Sequence, residues 1–591
     1  MAVAKSTRNA YVAIAVVLAL GVVIFANLLA DRAFARVDLT ADRKYSLSEP
    51  FRKIMDRLGS TDRLKVTYCV SKSVPEWFEG IKRDILDRLR EIETASGGRI
   101  VLEVVDPEDN EDLKKELEKQ NLNFTVQTRE KGKLSYMVIN SSLRLTYADK
   151  PSDWVQVVRD AQDLEYDIAN KVYTLTQEKK PIVAIHRPKP EQPPMMMGRQ
   201  PPNPFGWLLS DPDTSKKVEV RDIELTENST IPNDTKLLIL IRPKELGERA
   251  RYEVIRYLAG GGRVLLLSSP FKINNEMFGG GFRVQKTPTG FESYLQDIGI
   301  VPETSFVCDE NNVRLPVELN PFTGEVKYAV LSYFVQIQPG SIYQESPITR
   351  SLRGLVMPYP STLTIDEQKV KAAGLTVTVL AKTSSLSWKE PYSDTFDPRK
   401  FDSARAGRDP GLPVFVQLEG TFPFPWEGKD VPAWSPASDA KDAADEKKAE
   451  EKKPEEKKTE AAKATVERQQ GANPILFLWT CPESFDRMYL EDRQIGGELE
   501  GNINILPNIV ESCALGEDLI RLRAKRFEAR TIESFDKKEQ RSLKFALKVF
   551  MIGGTAMLLV VGGLVYWFVR RSGQVRYERE MSQSGPSSFM P

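Results

Sequence analysis

Two unbroken apolar runs stand out from a chain whose hydrophobic positions otherwise alternate or recur at helical spacing. Residues 11–30, YVAIAVVLALGVVIFANLLA, carry no charge and one amide, Asn27. At 1.5 Å rise per residue they span about 30 Å, the hydrocarbon thickness of a bilayer. A cleaved signal peptide is the rival reading, because AFA at 33–35 has the small-residue form of a processing site. Its apolar core would be about twice the usual minimum, and Asp31 and Arg32 interrupt the approach, so an uncleaved anchor is expected. Residues 549–569, VFMIGGTAMLLVVGGLVYWFV, are also free of charge, end in Tyr566 and Trp567, and are followed by Arg570 and Arg571. The aromatic pair suits an interface and the arginine pair a cytoplasmic stop. Lys5, Arg8, Arg576 and Arg579 favour cytoplasmic ends, while Arg32, Arg36, Lys544 and Lys548 pull the other way.

Between the spans the pattern alternates strand and helix. LKVTYCVSKSV at 64–74 is rich in β-branched and aromatic residues and predicts a strand. Phe78, Ile81, Ile85, Leu86, Leu89 and Ile92 then fall at helical spacing. GGRIVLEVVDP predicts a second strand and DLKKELEKQNL a short helix; TVQTREKGKLSYMVIN and SSLRLTYAD predict a β-hairpin. This β-α-β-α-β-β order resembles thioredoxin, but no CxxC lies near the first helix, so redox chemistry has nothing to act with.

Residues 160–177 predict a helix leading into the buried strand KPIVAIHRP, then a Pro- and Met-rich loop, RPKPEQPPMMMGRQPPNPFG. KKVEVRDIEL and TKLLILIRP predict strands, KELGERARYEVIRYLAG a helix, and GRVLLLSSP a strand. Near-continuous apolar strands separated by helices are the signature of a parallel sheet covered on both faces. NPILFLWTC is expected to return to that sheet beyond the stretch at 439–463, which carries nine acidic and eight basic residues and nothing apolar larger than alanine. Such a stretch cannot bury enough surface to offset the entropy of ordering, and a solvated linker is expected.

The three glycines Gly260, Gly261 and Gly262 invite comparison with a phosphate loop. A Walker A loop places its glycines after a strand and before a helix, and ends in Lys-Ser/Thr. Here they follow a helix and precede a strand, so the helix end facing them is the negative C-terminus, which repels phosphate. The expected role is a helix C-cap with at least one glycine at positive φ. FGGGF at 278–282 has no strand–helix context.

Several segments, in order, resemble the Gldg-type, gliding-motility-associated auxiliary proteins of ABC transport systems. They are RVDLTADRKYSLSEPFRKIMDRL, LEYDIANKVYTLT, LLILIRPKELGERARYEVIRYLAGGGRVLLLSSP, FESYLQDIGIVPETSFVCDE, SPITRSL, LAKTSSLSW and GNINILPNIVESCALGEDLIRLRAK. Where relatives often carry an acidic turn of V-x-G-D-S-D-F type, this chain reads LFLWTCPESFDRMYL, which departs from the pattern. The resemblance implies an extracytoplasmic domain in a bacterial inner membrane, held by an anchor at each end. It further implies an ABC permease and a separate cytoplasmic ATPase as partners, an amidotransferase- or flavodoxin-like sheet, and no catalytic residues to carry over.

The expected fold class is therefore α/β, a thioredoxin-like N-terminal domain plus a mostly parallel, doubly covered sheet, flanked by two transmembrane helices. The expected order begins with a cytoplasmic tail at 1–10, a transmembrane helix at 11–30, the thioredoxin-like domain at 33–158 and the parallel-sheet domain at 159–435. A charged linker at 436–470, the rest of the sheet domain at 471–530, a connector helix at 531–548, a second transmembrane helix at 549–569 and a cytoplasmic tail at 570–591 complete it.

Composition adds exclusions. Lys+Arg and Asp+Glu are both 83, so no net field draws the chain to nucleic acid. Cys69, Cys308, Cys481 and Cys513 are scattered without ligand spacing and predict buried thiols. His186 is the one histidine, which argues against His-based metal sites and His-dependent triads. An extracytoplasmic hydrolase or transferase would need a nucleophile on a strand-to-helix elbow. Ser268 and Ser269 stand at a strand end with no G-x-S-x-G around them, and His186 at another. No catalytic, cofactor or metal residue is assigned, and a binding or scaffold role without a cofactor is the expectation.

Overall fold

The structure, a computed structural model, describes residues 47–59, 62–130, 133–188, 203–276, 281–319, 326–397, 401, 407–434, 463–468, 473–490, 500–525, 567, 570–573, 575–576 and 579. The expected spans at 11–30 and 549–569 (apart from Trp567), the connector at 531–548, the Pro/Met loop at 189–202 and most of the charged linker lie outside the described residues. Among the described residues no helix is long and apolar enough to cross a membrane. By its contacts the chain divides into residues 1–527 and 528–591. In the second unit the described residues are helical, with the Arg571 guanidinium 4.9 Å from the centre of the Trp567 ring.

The first unit opens with a short helix, α1 (Glu49–Met55), whose Phe51, Ile54 and Met55 are buried. Strand β1 (Leu64–Val70) follows, then α2 (Glu76–Ala95), which buries Phe78, Ile85, Leu89 and Ile92 as one stripe. That helix is the crossover that lets β2 (Ile100–Val105) lie parallel to β1. After α3 (Glu111–Lys119), capped by the Asn110 side chain, come β3 (Asn123–Glu130) and β4 (Lys133–Thr146). The expected hairpin thus differs in its second arm: β4 is one 14-residue strand, not two segments parted at Asn140–Ser141. Its first half pairs with β3, and its second half lies between β1 and β5 (Asp153–Val155). The Ser71 side chain at the end of β1 accepts from the Asn140 amide, and the Tyr68 hydroxyl meets Ser141 Oγ at 3.0 Å. The polar pair is therefore buried by partner exchange and does not mark a turn.

Helix α4 (Leu164–Thr176) leads into a seven-stranded sheet. Its strands are β6 (Ile182–His186), β7 (Glu219–Asp222), β8 (Thr235–Ile241), β9 (Arg263–Leu267), β10 (Leu375–Lys382), β11 (Pro413–Gly420) and β12 (Ile475–Trp479). The spatial order is β10-β11-β12-β9-β8-β6-β7. The five strands from β12 to β7 are parallel, and β11 and β10 extend that sheet antiparallel. NPILFLWTC supplies β12, seated between β9 and β11. Where the pattern predicts a strand from Lys216 onward, α5 (Pro212–Lys217) comes first. Asp211 caps it by accepting from the Thr214 amide and Pro212 fits its first turn, so the strand shortens to β7.

Alternation along the central strands sends side chains into two cores. Leu237, Ile239 and Ile241 of β8 face one, with Val183, Leu265 and Phe477; Leu238 and Leu240 face the other, with Ala184, Leu266 and Leu478. Complete burial of a leucine or isoleucine is worth about 1.5–3 kcal/mol, and all five apolar residues of β8 from Leu237 to Ile241 are fully buried. The first core continues into Tyr68 and Leu143 of the N-terminal sheet and Ile85 of α2. Helix α6 (Glu248–Ala259) covers the opposite face and buries Tyr252, Ile255 and Leu258.

The chain re-enters the described fold at Lys463, which bridges Asp430, and Ala464 is buried against the Gly428–Lys429 backbone. The last helices are α7 (Glu500–Val510), a π-helical turn at Glu511–Leu515, and α8 (Glu517–Lys525). Helix α8 packs on α1 and α4, with Leu519 and Leu522 in the same core as Phe51 and Ile54. The first and last helices of the described body therefore meet α4 in one three-helix cluster.

Candidate functional site

The glycine turn closes α6 as a Schellman motif. Gly262 N donates to the Tyr257 carbonyl at 2.9 Å and Gly261 N to that of Leu258 at 3.1 Å. Gly261 stands at φ 112°, and Gly260 is helical at φ −73°. Gly262 is constrained by space: a Cβ there would run into the Tyr257 ring, which is pinned by its hydroxyl donating to the Thr235 carbonyl. The turn is structural, and the helix C-terminus faces it.

The carboxyl ends of parallel strands are where open α/β sheets bind ligands. His186 ends β6, with its Nδ1 3.1 Å from the Ile223 carbonyl. Ser268 follows β9 and its amide donates to the Trp479 carbonyl; Ser269 is buried and its carbonyl accepts from the Thr287 hydroxyl. Strand β8 lies between β6 and β9, so His186 and Ser268 end strands that are two places apart, about 10 Å at ordinary strand spacing. The His186 ring turns to the Ile223 carbonyl just after β7, on the side of β6 away from β9. Arg242, at φ 43° just beyond β8, is ion-paired with Glu483 in the short 3-10 turn Pro482–Phe485 after β12. Glu483 is thus the acidic group of the turn that departs from the D-S-D pattern, and it joins two strand ends.

The four cysteines are free and buried. Burial pushes the thiols of Cys69 up to about 11 and of Cys481 and Cys513 up to about 12, and raises Cys308 further. Nucleophilic chemistry needs the thiolate, which this burial disfavours.

A cleft of about 210 Å³ opens between α5 and α7. Its walls are apolar: Trp207, Leu209, Ile503 and Leu506. Its base is a buried charge network. Lys217 Nζ lies 2.8 Å from Asp213 Oδ2 and 2.9 Å from Glu511 Oε1, and the Tyr166 hydroxyl donates to the same oxygen at 2.9 Å. Burial alone would lower the Lys217 pKa, but Glu511, Tyr166 and Asp213 outweigh it and hold the ammonium charged well above its ordinary range. The backbone at the cleft is unusual twice over. Leu209 stands at φ 60°, and Glu511 opens the π-turn, a form often found at functional sites.

Helix α7 is held by two buried asparagines that bond to backbone. Asn502 accepts from the Val356 amide at 3.0 Å and donates to its carbonyl, and Asn508 Nδ2 donates to the Ile348 carbonyl at 2.8 Å. A Cβ at Gly501 would collide with the Gly354 carbonyl. GNINILPN and SPITRSL are therefore two halves of one contact, and Ser48 likewise meets Glu165 of LEY. The cleft itself was not legible from sequence: Lys217 and Glu511 are 294 positions apart.

Residues 211–460, from the cap of α5 through β11, match the model of a family described as an ABC-type uncharacterized transport system. Residues 41–143, covering α1 and most of the N-terminal sheet, match a domain of unknown function. No curated protein matches the chain. The first match supports an auxiliary component of an ABC transport system.

Proposed function

We propose that this chain is a two-span, membrane-anchored accessory subunit of an ABC transport system, of the Gldg-type group. Its α/β body lies outside the cytoplasm and acts as a binding or scaffold element without catalysis of its own. The match over residues 211–460 carries this reading. Two apolar runs of spanning length flank the body in sequence, and the packing of α8 on α1 brings the first and last helices of the described body together. The thioredoxin-like and amidotransferase-like kinship of the two sheets belongs to the same proposal. Movement of a permease at this point would reach both sheets through α4, which contributes Glu165 and Tyr166 to separate buried networks. Affinity purification from mild detergent at native expression tests the reading. A multi-span permease and a cytoplasmic ATPase should be recovered with the chain, and recovery of the chain alone in several detergents contradicts it.

A further inference from the structure

The cleft between α5 and α7 has a composition that selects its occupant. Asp211, Asp213 and Glu511 line it with a single ammonium, Lys217, so two negative charges remain. Lys217 is already engaged by two carboxylates, at 2.8 and 2.9 Å. An entering anion would have to break that pair and approach three carboxylates, of which Glu511 is buried. An entering cation meets the opposite field. Asp211 Oδ1 accepts from the Thr214 amide, and Asp213 accepts from Lys217 and from the Asn170 side chain; an ionised carboxylate has about four acceptor positions, so both keep capacity for a further donor. The apolar walls favour a hydrocarbon body. Trp207 is held as a fixed wall, its indole N–H donating to the Phe485 carbonyl at 3.1 Å, and a tryptophan face is the best aromatic surface for a cation. The volume, about 210 Å³, is below the usual 300–1,000 Å³ of drug-sized sites and fits a compact ligand.

We propose that this cleft binds a small amphiphilic cation, with a primary amine on Asp211 and Asp213 and an apolar body between Trp207, Leu209 and Ile503. Neither family match assigns a site here. Calorimetric titration of the full chain, reconstituted in lipid nanodiscs, tests it with phenethylamine, 3-phenylpropionate and methylammonium. The expected result is saturable binding of phenethylamine, none of phenylpropionate, and much weaker binding of methylammonium, which lacks the apolar body. In Asp211→Asn/Asp213→Asn, which keeps the Asp211 capping acceptor, phenethylamine should bind about tenfold more weakly, as for loss of a charge-assisted hydrogen bond. Should that variant fail to reach the wild-type melting temperature, Ile503→Trp, which fills the mouth from an exposed position, is read in its place and should abolish binding. Equal binding of phenylpropionate, unchanged affinity in the folded variants, or no saturable phenethylamine binding to folded wild type would overturn the proposal. Binding of the amine by a chain recovered without partners would leave the site standing and remove the transport reading.

Discussion

Ser48 Oγ donates to Glu165 Oε2 across 2.6 Å, joining positions 117 residues apart. The same carboxylate takes the Ser48 amide, and its other oxygen is ion-paired with Arg88 of α2. One buried acid therefore fastens the start of the described body to both α2 and α4. Glu165→Ala should cost about 3–5 kcal/mol, because it leaves the Arg88 guanidinium desolvated with less compensation. Glu165→Gln, which keeps an acceptor for Ser48, should cost less. Urea denaturation of the two variants checks the order, and equal stability of Ala and wild type would refute the fastening role.

The glycine turn separates three effects. Gly261→Val should cost about 1–2 kcal/mol or more, because a β-branched residue fits poorly at φ 112°. Gly262→Ala should also destabilise, although simple conformational freedom would not predict it, because the added methyl meets the pinned Tyr257 ring. Gly260→Ala, at helical φ, should be within about 0.5 kcal/mol of wild type. Melting curves with millimolar Mg-ATP should superimpose on those without it; a saturable shift lost in a folded glycine variant would restore a phosphate site.

Asp153 gives the pH dependence a sign. It lies 3.1 Å from Lys171 and 2.9 Å from Lys216, tying β5 to α4 and α5. Burial alone would raise its pKa, but the two lysines outweigh it and hold the carboxyl below its usual 3.8. A folded-state pKa below the unfolded one contributes stability that is complete above the unfolded pKa and lost as pH falls through the folded pKa. Asp153→Asn should therefore lower the melting temperature at neutral pH and make the decline below about pH 4 shallower than in wild type. Parallel curves for the two proteins would contradict this.

The charged stretch can be cut, within limits set by its anchor. Removing 439–460 and joining the ends with a short Gly/Ser bridge should leave the melting temperature nearly unchanged, since closure cost varies slowly with loop length. Extending the deletion through Ala464 removes a buried residue and the Lys463–Asp430 bridge, and should lower it by several degrees.

What the sequence reveals depends on how local the cause is. Strands β8 and β9 are legible because TKLLILI and RVLLL are apolar on both faces, and the α6 cap because its hydrogen bonds span only six residues. The continuity of β4 is hidden because Ser141 and Ser142 read as a turn until β1 covers them. Helix α7 is hidden by Pro507, which local rules place at a helix break. Tertiary bonds from Asn502 and Asn508 hold that helix in place. The cleft needs α5 and the π-turn brought together although Lys217 and Glu511 are 294 positions apart, and nothing in either segment alone signals the other.

Native mass spectrometry of the chain, released from membranes in mild detergent at native expression, addresses the accessory-subunit reading most directly. The account predicts a complex whose mass exceeds the 66.7 kDa of the chain by a permease and an ATPase, each identified by its peptides. A single species at the mass of the chain alone, in every detergent that preserves its fold, would contradict it.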